Sequence, residues 1–259
     1  MIKRVFEIYN YREMIAELVR RDLRGRYKGA VLGFLWTFIN PLMQLAVYTV
    51  VFSLFMRSNI QQYYIFLFVA LVPWIFFSSS LTGGSTVILG QANMVNKIYF
   101  PREVLPITFV TSCFVNMLLT FVVVFGVLIF SGYGLRPKPL LFLPLVMLLE
   151  FVLALGMTLL FSAVDVYFRD MSHILGIVCM AWQFLTPIMY PSSLVPQKYQ
   201  AIWNLNPMKA IIETYRDILY YQQVPDLSGL IPAFVMAIFF LILGEMVFMK
   251  LEKGFATEL

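Results

Sequence analysis

Residues 104–135 read VLPITFVTSCFVNMLLTFVVVFGVLIFSGYGL, 32 residues between Glu103 and Arg136 without one charged side chain. A helix needs about 20 apolar residues to cross the hydrocarbon layer of a bilayer, and this run exceeds that. Its apolar residues are continuous, whereas barrel strands would alternate apolar and polar over ~10 positions. The stretch therefore predicts a transmembrane helix.

The same gap between charges recurs along the chain. Lys28 and Arg57 are separated by 28 uncharged residues, and Arg57 and Lys97 by 39. Glu150 alone interrupts the run from Lys138 to Asp165. Only the titratable His173 lies between Asp170 and Lys198, and Glu245 alone lies between Asp226 and Lys250. Six spans follow, at about residues 32–56, 64–88, 105–130, 140–164, 173–190 and 230–249. The composition agrees. The 259 residues are 61% hydrophobic and 13% charged, with a mean hydropathy of +0.82. Soluble domains are roughly 45–50% apolar and about 25% charged. That rules out a soluble enzyme, a disordered chain and a nucleic-acid binder, even with a net charge of +5.

Lys/Arg placement sets the orientation. With six spans both termini share one side, which receives thirteen of the 19 Lys and Arg; the other side receives six. The termini are predicted to be cytoplasmic. Residues 1–28 read as one amphipathic interface helix. Ile2, Val5, Phe6, Tyr9, Met14, Ile15 and Leu18 recur at helical spacing, with charges on the other faces. Residues 29–259 form the six-helix domain.

Between spans two and three, the loop 91–105 mixes Asn96, Lys97, Tyr99, Phe100, Arg102 and Glu103. Aromatics and Arg favour protein contacts, so this loop is read as a docking element. Arg169 and Asp170, between spans four and five, supply a second contact. Residues 191–229 are too polar to span. Asn206-Pro207 marks a helix start, and re-entrant outer helices are expected at about 194–221. Tyr199, Trp203, Ile212 and Tyr215 there are candidates for an outer gate.

Many aromatics lie within the spans. Phe34, Trp36, Phe38, Tyr48, Phe52 and Trp74 are either packing residues or the lining of a pathway that stacks on sugar rings. Glu150 sits mid-span, where a charge costs on the order of 3 kcal/mol, so it faces protein or water or is protonated. Cys113 and Cys179 read as small buried hydrophobes. No His/Cys cluster suggests a metal. No G-x-x-x-x-G-K-[ST] is present to hold ATP, so transport would need a separate energy source.

Three motifs carry a resemblance. Residues 27–41 (YKGAVLGFLWTFINP) resemble the first-span signature of ABC-2 permeases that export polysaccharides. Residues 95–106 (VNKIYFPREVLP) are similar to that family's coupling loop, and 187–191 (PIMYP) with 205–208 (LNPM) to its last outer segment. The Lys28-Gly29 pair departs from the more common Lys/Arg-Ser. The resemblance implies a homodimer in the bacterial inner membrane, with a central channel and two copies of a cytoplasmic ABC ATPase below it. ATP and Mg would sit on that partner, and this chain would carry no cofactor. The substrate implied is a lipid-linked glycan of O-antigen, capsule or teichoic acid type. Arg24, Arg26 and Lys28 then lie where a lipid pyrophosphate would be met at the inner leaflet; positive-inside anchoring is the plainer role for each. An ABC-2 exporter of a small lipid or drug, and a membrane-embedded transferase using Asp165, Arg169, Asp170 and His173, are the competing readings.

Overall fold

The computed structural model describes residues 2–25, 29, 31–56 and 60–259, without side chains at 2, 3, 5, 34, 53–56, 201 and 202. All the regular structure in these residues is helical. The N-terminal segment is α1 (Ile2–Asn10) and α2 (Arg12–Gly25). It is thus divided at Tyr11 instead of forming the single helix expected. Then come α3 (Trp36–Met56) and α4 (Tyr63–Ser85), followed by two short helices, α5 (Val87–Gly90) and α6 (Ala92–Lys97). The long α7 (Val104–Phe130) leads through the turn α8 (Pro137–Leu140) to α9 (Leu143–Tyr167) and α10 (Met171–Leu185). The segment after α10 carries α11 (Gln200–Trp203) and α12 (Pro207–Leu219); α13 (Ile231–Leu251) and α14 (Phe255–Glu258) close the chain.

Four helical stretches among the described residues are long and apolar enough to cross a membrane: Tyr63–Ser85, Val104–Phe130, Pro137–Tyr167 and Leu227–Glu258. Trp36–Phe52 and Met171–Leu185 are apolar but shorter. The fifth expected span, 173–190, stops at Leu185. Thr186 is extended, as the residue before Pro187 must be to avoid the proline ring. At 1.5 Å per residue, the 15 residues of α10 reach roughly 22 Å. The helical part of the first span likewise begins late, after a 3-10 turn over Gly33–Leu35 with Gly33 at φ 46°.

α4 is the axis of the fold. Residues 65–77 are apolar throughout, and neighbouring helices rather than lipid cover nearly all of them. The helix touches α3, α7, α9, α10 and α12, and residues 65–72 are buried without interruption. The most extensive helix pair is α9 with α13. Gly156 and Gly244 face each other there: a Cβ on Gly156 would strike the backbone at Phe240 and Leu241, and one on Gly244 the carbonyl of Gly156. Lipid offers no hydrophobic drive for helix association, so close backbone approach at small residues supplies dispersion instead. A second apolar cluster lies at the end carrying both termini. Phe100, Val104, Val95, Phe248 and Phe255 form it, with Met14, Ile15 and Leu18 of α2 packed against it.

Candidate functional site

The outer faces of the helices differ in chemistry. α13 exposes Ile231, Phe234, Val235, Ile238, Phe239, Ile242 and Met246. α3 exposes Asn40 and Gln44 among Leu42, Met43, Val47 and Val50. Amides turned to hydrocarbon lack partners and are costly, so the α3 face belongs against water or protein. Trp36, Phe38, Tyr48 and Phe52 are half-buried along the same helix, and Phe34 lies outside the described side chains. Gln183 Nε2 donates to the Tyr48 hydroxyl at 3.4 Å, tying α10 to α3. The Tyr48 and Phe52 rings meet edge to face at 6.5 Å.

Trp74 has a different place. It is buried in the core, 5.8 Å from Phe77 and edge-on to Trp182 at 6.4 Å. Trp182 Nε1 donates to Asn206 Oδ1 at 3.0 Å, and that oxygen also accepts from the backbone of Met208. Asn206 therefore caps α12, as its sequence position predicts, while fixing α12 to α10. Beside it a cavity of about 610 Å³ is lined by Trp182, Leu185, Tyr190, Leu194, Tyr199 and Trp203. So Tyr199 and Trp203 share one aromatic cavity. Ile212 and Tyr215 have no exposed surface and serve the interior.

Two buried ionisable side chains, Glu150 and Arg216, hold α12 in place. Tyr215 donates to Glu150 Oε2 at 2.8 Å, answering where the mid-span carboxylate faces: inward, to a phenol. Arg216 donates to the carbonyls of Ile188 at 2.5 Å, Tyr190 at 3.4 Å and Phe66 at 3.5 Å, with its guanidinium 3.6 Å from the Phe66 ring centroid. Burial pulls its pKa down to about 9, against favourable interactions with Tyr221 and Glu213. It stays cationic at neutral pH and holds the segment after α10 against α4. Sequence reasoning passed over Arg216; its signal is a cation on the α12 helix next to the buried Tyr215.

At the opposite end, Asn96, Lys97 and Tyr99 are exposed, with Tyr99 at 81%. Phe100 and Glu103 are buried inside the chain, and Arg102 is intermediate. The expected docking loop thus divides: three residues face outward and two hold the loop in place. Arg169 and Asp170 are exposed, and Arg169 Nη2 donates to the Glu258 carbonyl at 3.4 Å. Arg24 is exposed at the end of α2; Arg26 and Lys28 lie outside the described residues. Arg4, which carried no expectation, donates to both oxygens of Glu103, at 2.7 and 3.0 Å, and to both of Glu252, at 2.6 Å. Burial lowers its pKa, but the bond to Glu103 and the charges of Glu103, Glu252 and Glu7 outweigh this and raise it.

Apolar helices around a buried α4, a segment with an aromatic cavity between α10 and α13, and an exposed loop at the opposite end define a helical multi-pass membrane protein. Residues 14–220 match the ABC-2 type transporter family, and the chain belongs to it. Across 264 residues it is 35% identical to the O-antigen export system permease protein RfbA of Myxococcus xanthus, covering 100% of both chains. It is 30% identical over 249 residues to RfbA of Klebsiella pneumoniae, covering 95% of each. It is 25% identical over 209 residues to the polysialic acid transport protein KpsM of Escherichia coli, covering 78% of this chain and 80% of that one. The chain is thus a multi-pass inner-membrane permease, a domain type without the ATPase site, and its family implies a partner ATPase subunit.

Proposed function

We propose that this chain is the channel-forming subunit of an ATP-driven exporter that moves a lipid-linked polysaccharide of O-antigen, capsular or teichoic acid type to the outer face of the inner membrane. The observation that carries the reading is the 35% identity across the whole length to a permease named for O-antigen export. α3 and α10 complete six spans, with both termini cytoplasmic, as thirteen of 19 Lys/Arg on that side favour. Two copies of the chain put their α3 and α10 faces together, and Trp36, Phe38, Tyr48 and Phe52, with Phe34, line the pathway beside Asn40 and Gln44. Aromatic rings bind the CH faces of sugars without a fixed charge, so a polymer slides past them. Two ATPase subunits engage Asn96, Lys97 and Tyr99, and Arg169 with Asp170; Phe100 and Glu103 hold that loop. Arg24, Arg26 and Lys28 attract the lipid pyrophosphate at the inner leaflet. Tyr199 and Trp203, just before and at the end of α11, belong to an outer gate beside α12, which Ile212 and Tyr215 seat in the interior.

Deleting the gene in its host tests this. We expect surface polysaccharide to vanish on carbohydrate-stained gels while lipid-linked polymer accumulates inside, both restored by the intact gene. Unchanged surface polymer contradicts the reading.

A further inference from the structure

We propose that Arg4 is a positioning residue for energy coupling, locking α1, the loop before α7 and the end of α13 into one body. The proposal rests on the ATP-driven reading above. Three segments far apart in sequence meet at one guanidinium: Arg4 and Glu103 are 99 positions apart, Arg4 and Glu252 248. Nε and Nη2 meet the two oxygens of Glu103, and Nη2 also meets both oxygens of Glu252. This forked geometry is one that a lysine cannot copy. Glu103 has no exposed surface, so it cannot exchange Arg4 for water. Glu7 on α1 stands 3.3 Å from Nη1, and Glu245 on α13 and Arg102 complete the charged surroundings. Among the described side chains, Glu7, Glu103, Glu245 and Glu252 outnumber Arg4 and Arg102 here. Without Arg4, Glu103 and Glu252 repel each other across the joint.

Mechanically, Glu103 opens α7 and Glu252 follows α13, which grips α9. A push on Tyr99 reaches α7 along the chain; Arg4 adds a charged link from the same loop to the end of α13, beside the direct packing of α7 on α9. The apolar contacts of Phe100, Phe248 and Phe255 lie in the same region and persist without the charge. Arg4 therefore sets how the parts move together more than whether they fold.

The test places spin labels on cysteines at Tyr9 and Lys253, both exposed, in a chain with Cys113 and Cys179 replaced by Ala. The chain is studied with its ATPase in nanodiscs, before and after trapping with ATP and vanadate. With the labelled chain diluted in unlabelled copies, so that one copy in each dimer carries both labels, we expect one narrow distance in the parent, kept on trapping. Arg4→Gln should broaden it, leave ATP hydrolysis within about twofold and lower surface polysaccharide about tenfold. A narrow distance and unchanged export in Arg4→Gln overturn the proposal. Should Arg4→Gln fail to assemble, Glu252→Gln, which leaves the Glu103 pair, decides: a broadened distance supports the lock and an unchanged one overturns it. A broadened distance in a host whose intact transporter exports no polysaccharide rejects the exporter reading and keeps the lock.

Discussion

The faces of α13 and α3 are both exposed and both mostly apolar, yet they suit different neighbours. Phe234, Val235, Ile238, Phe239 and Ile242 give α13 a surface that lipid covers at no polar cost. Asn40 and Gln44 give α3 a surface that lipid does not satisfy. The inner faces differ too: α13 is fixed to α9 by backbone contact at Gly156 and Gly244, whereas α3 touches mainly α4 and α7. One helix is a firmly seated wall. The other packs less extensively among the described residues, and the proposed second copy would cover its remaining face. Exposed apolar area alone does not separate the two faces; the few amides among the apolar residues do, and they favour α3 as the proposed pathway face.

The comparison breaks most completely at the α9–α13 joint. Gly156→Leu drives a side chain into the Phe240–Leu241 backbone. Overpacking costs about 1–3 kcal/mol where neighbours can give, and backbone cannot, so we expect folded protein to disappear from detergent size-exclusion profiles. Next is Arg216→Met, which strips partners from the carbonyls of Ile188, Tyr190 and Phe66. At about 1–3 kcal/mol for a buried group left unsatisfied, we expect a marked fall in Tm and faster hydrogen exchange across residues 186–196.

Smaller effects sharpen the contrast between faces. Asn40→Leu with Gln44→Leu should lower export about tenfold at normal protein levels, while Phe234→Leu with Ile238→Leu should change it less than twofold. Equal losses in the two pairs would erase the distinction. Trp36→Ala with Phe38→Ala should reduce export a few-fold while the partner's ATP hydrolysis continues. Normal export there makes these rings packing residues.

Charge-free runs made most of the fold legible. The run 104–135 corresponds to α7, and the fourth and sixth expected spans lie within three residues of α9 and α13. The Asn206 cap was readable because capping is local. The early end of α10 was signalled by Pro187, although the hydropathy continued past it. Aromatic content did not say which rings work: Trp36 and Trp74 look alike in sequence, but Trp74 sits where α4 is surrounded by other helices. The Arg4 joint was hidden for the same reason. A sequence shows that Arg4, Glu103 and Glu252 are charged, not that folding brings them to one point.

Thiol labelling tests the contrast between faces most directly. Single cysteines replace Gln44 and Phe239 in a chain lacking Cys113 and Cys179, and membranes containing the assembled transporter are treated with a water-soluble maleimide. We expect the Gln44 position to react and the Phe239 position to stay unlabelled. Reaction at Phe239 with protection at Gln44 would contradict the assignment of α3 to the pathway and α13 to lipid.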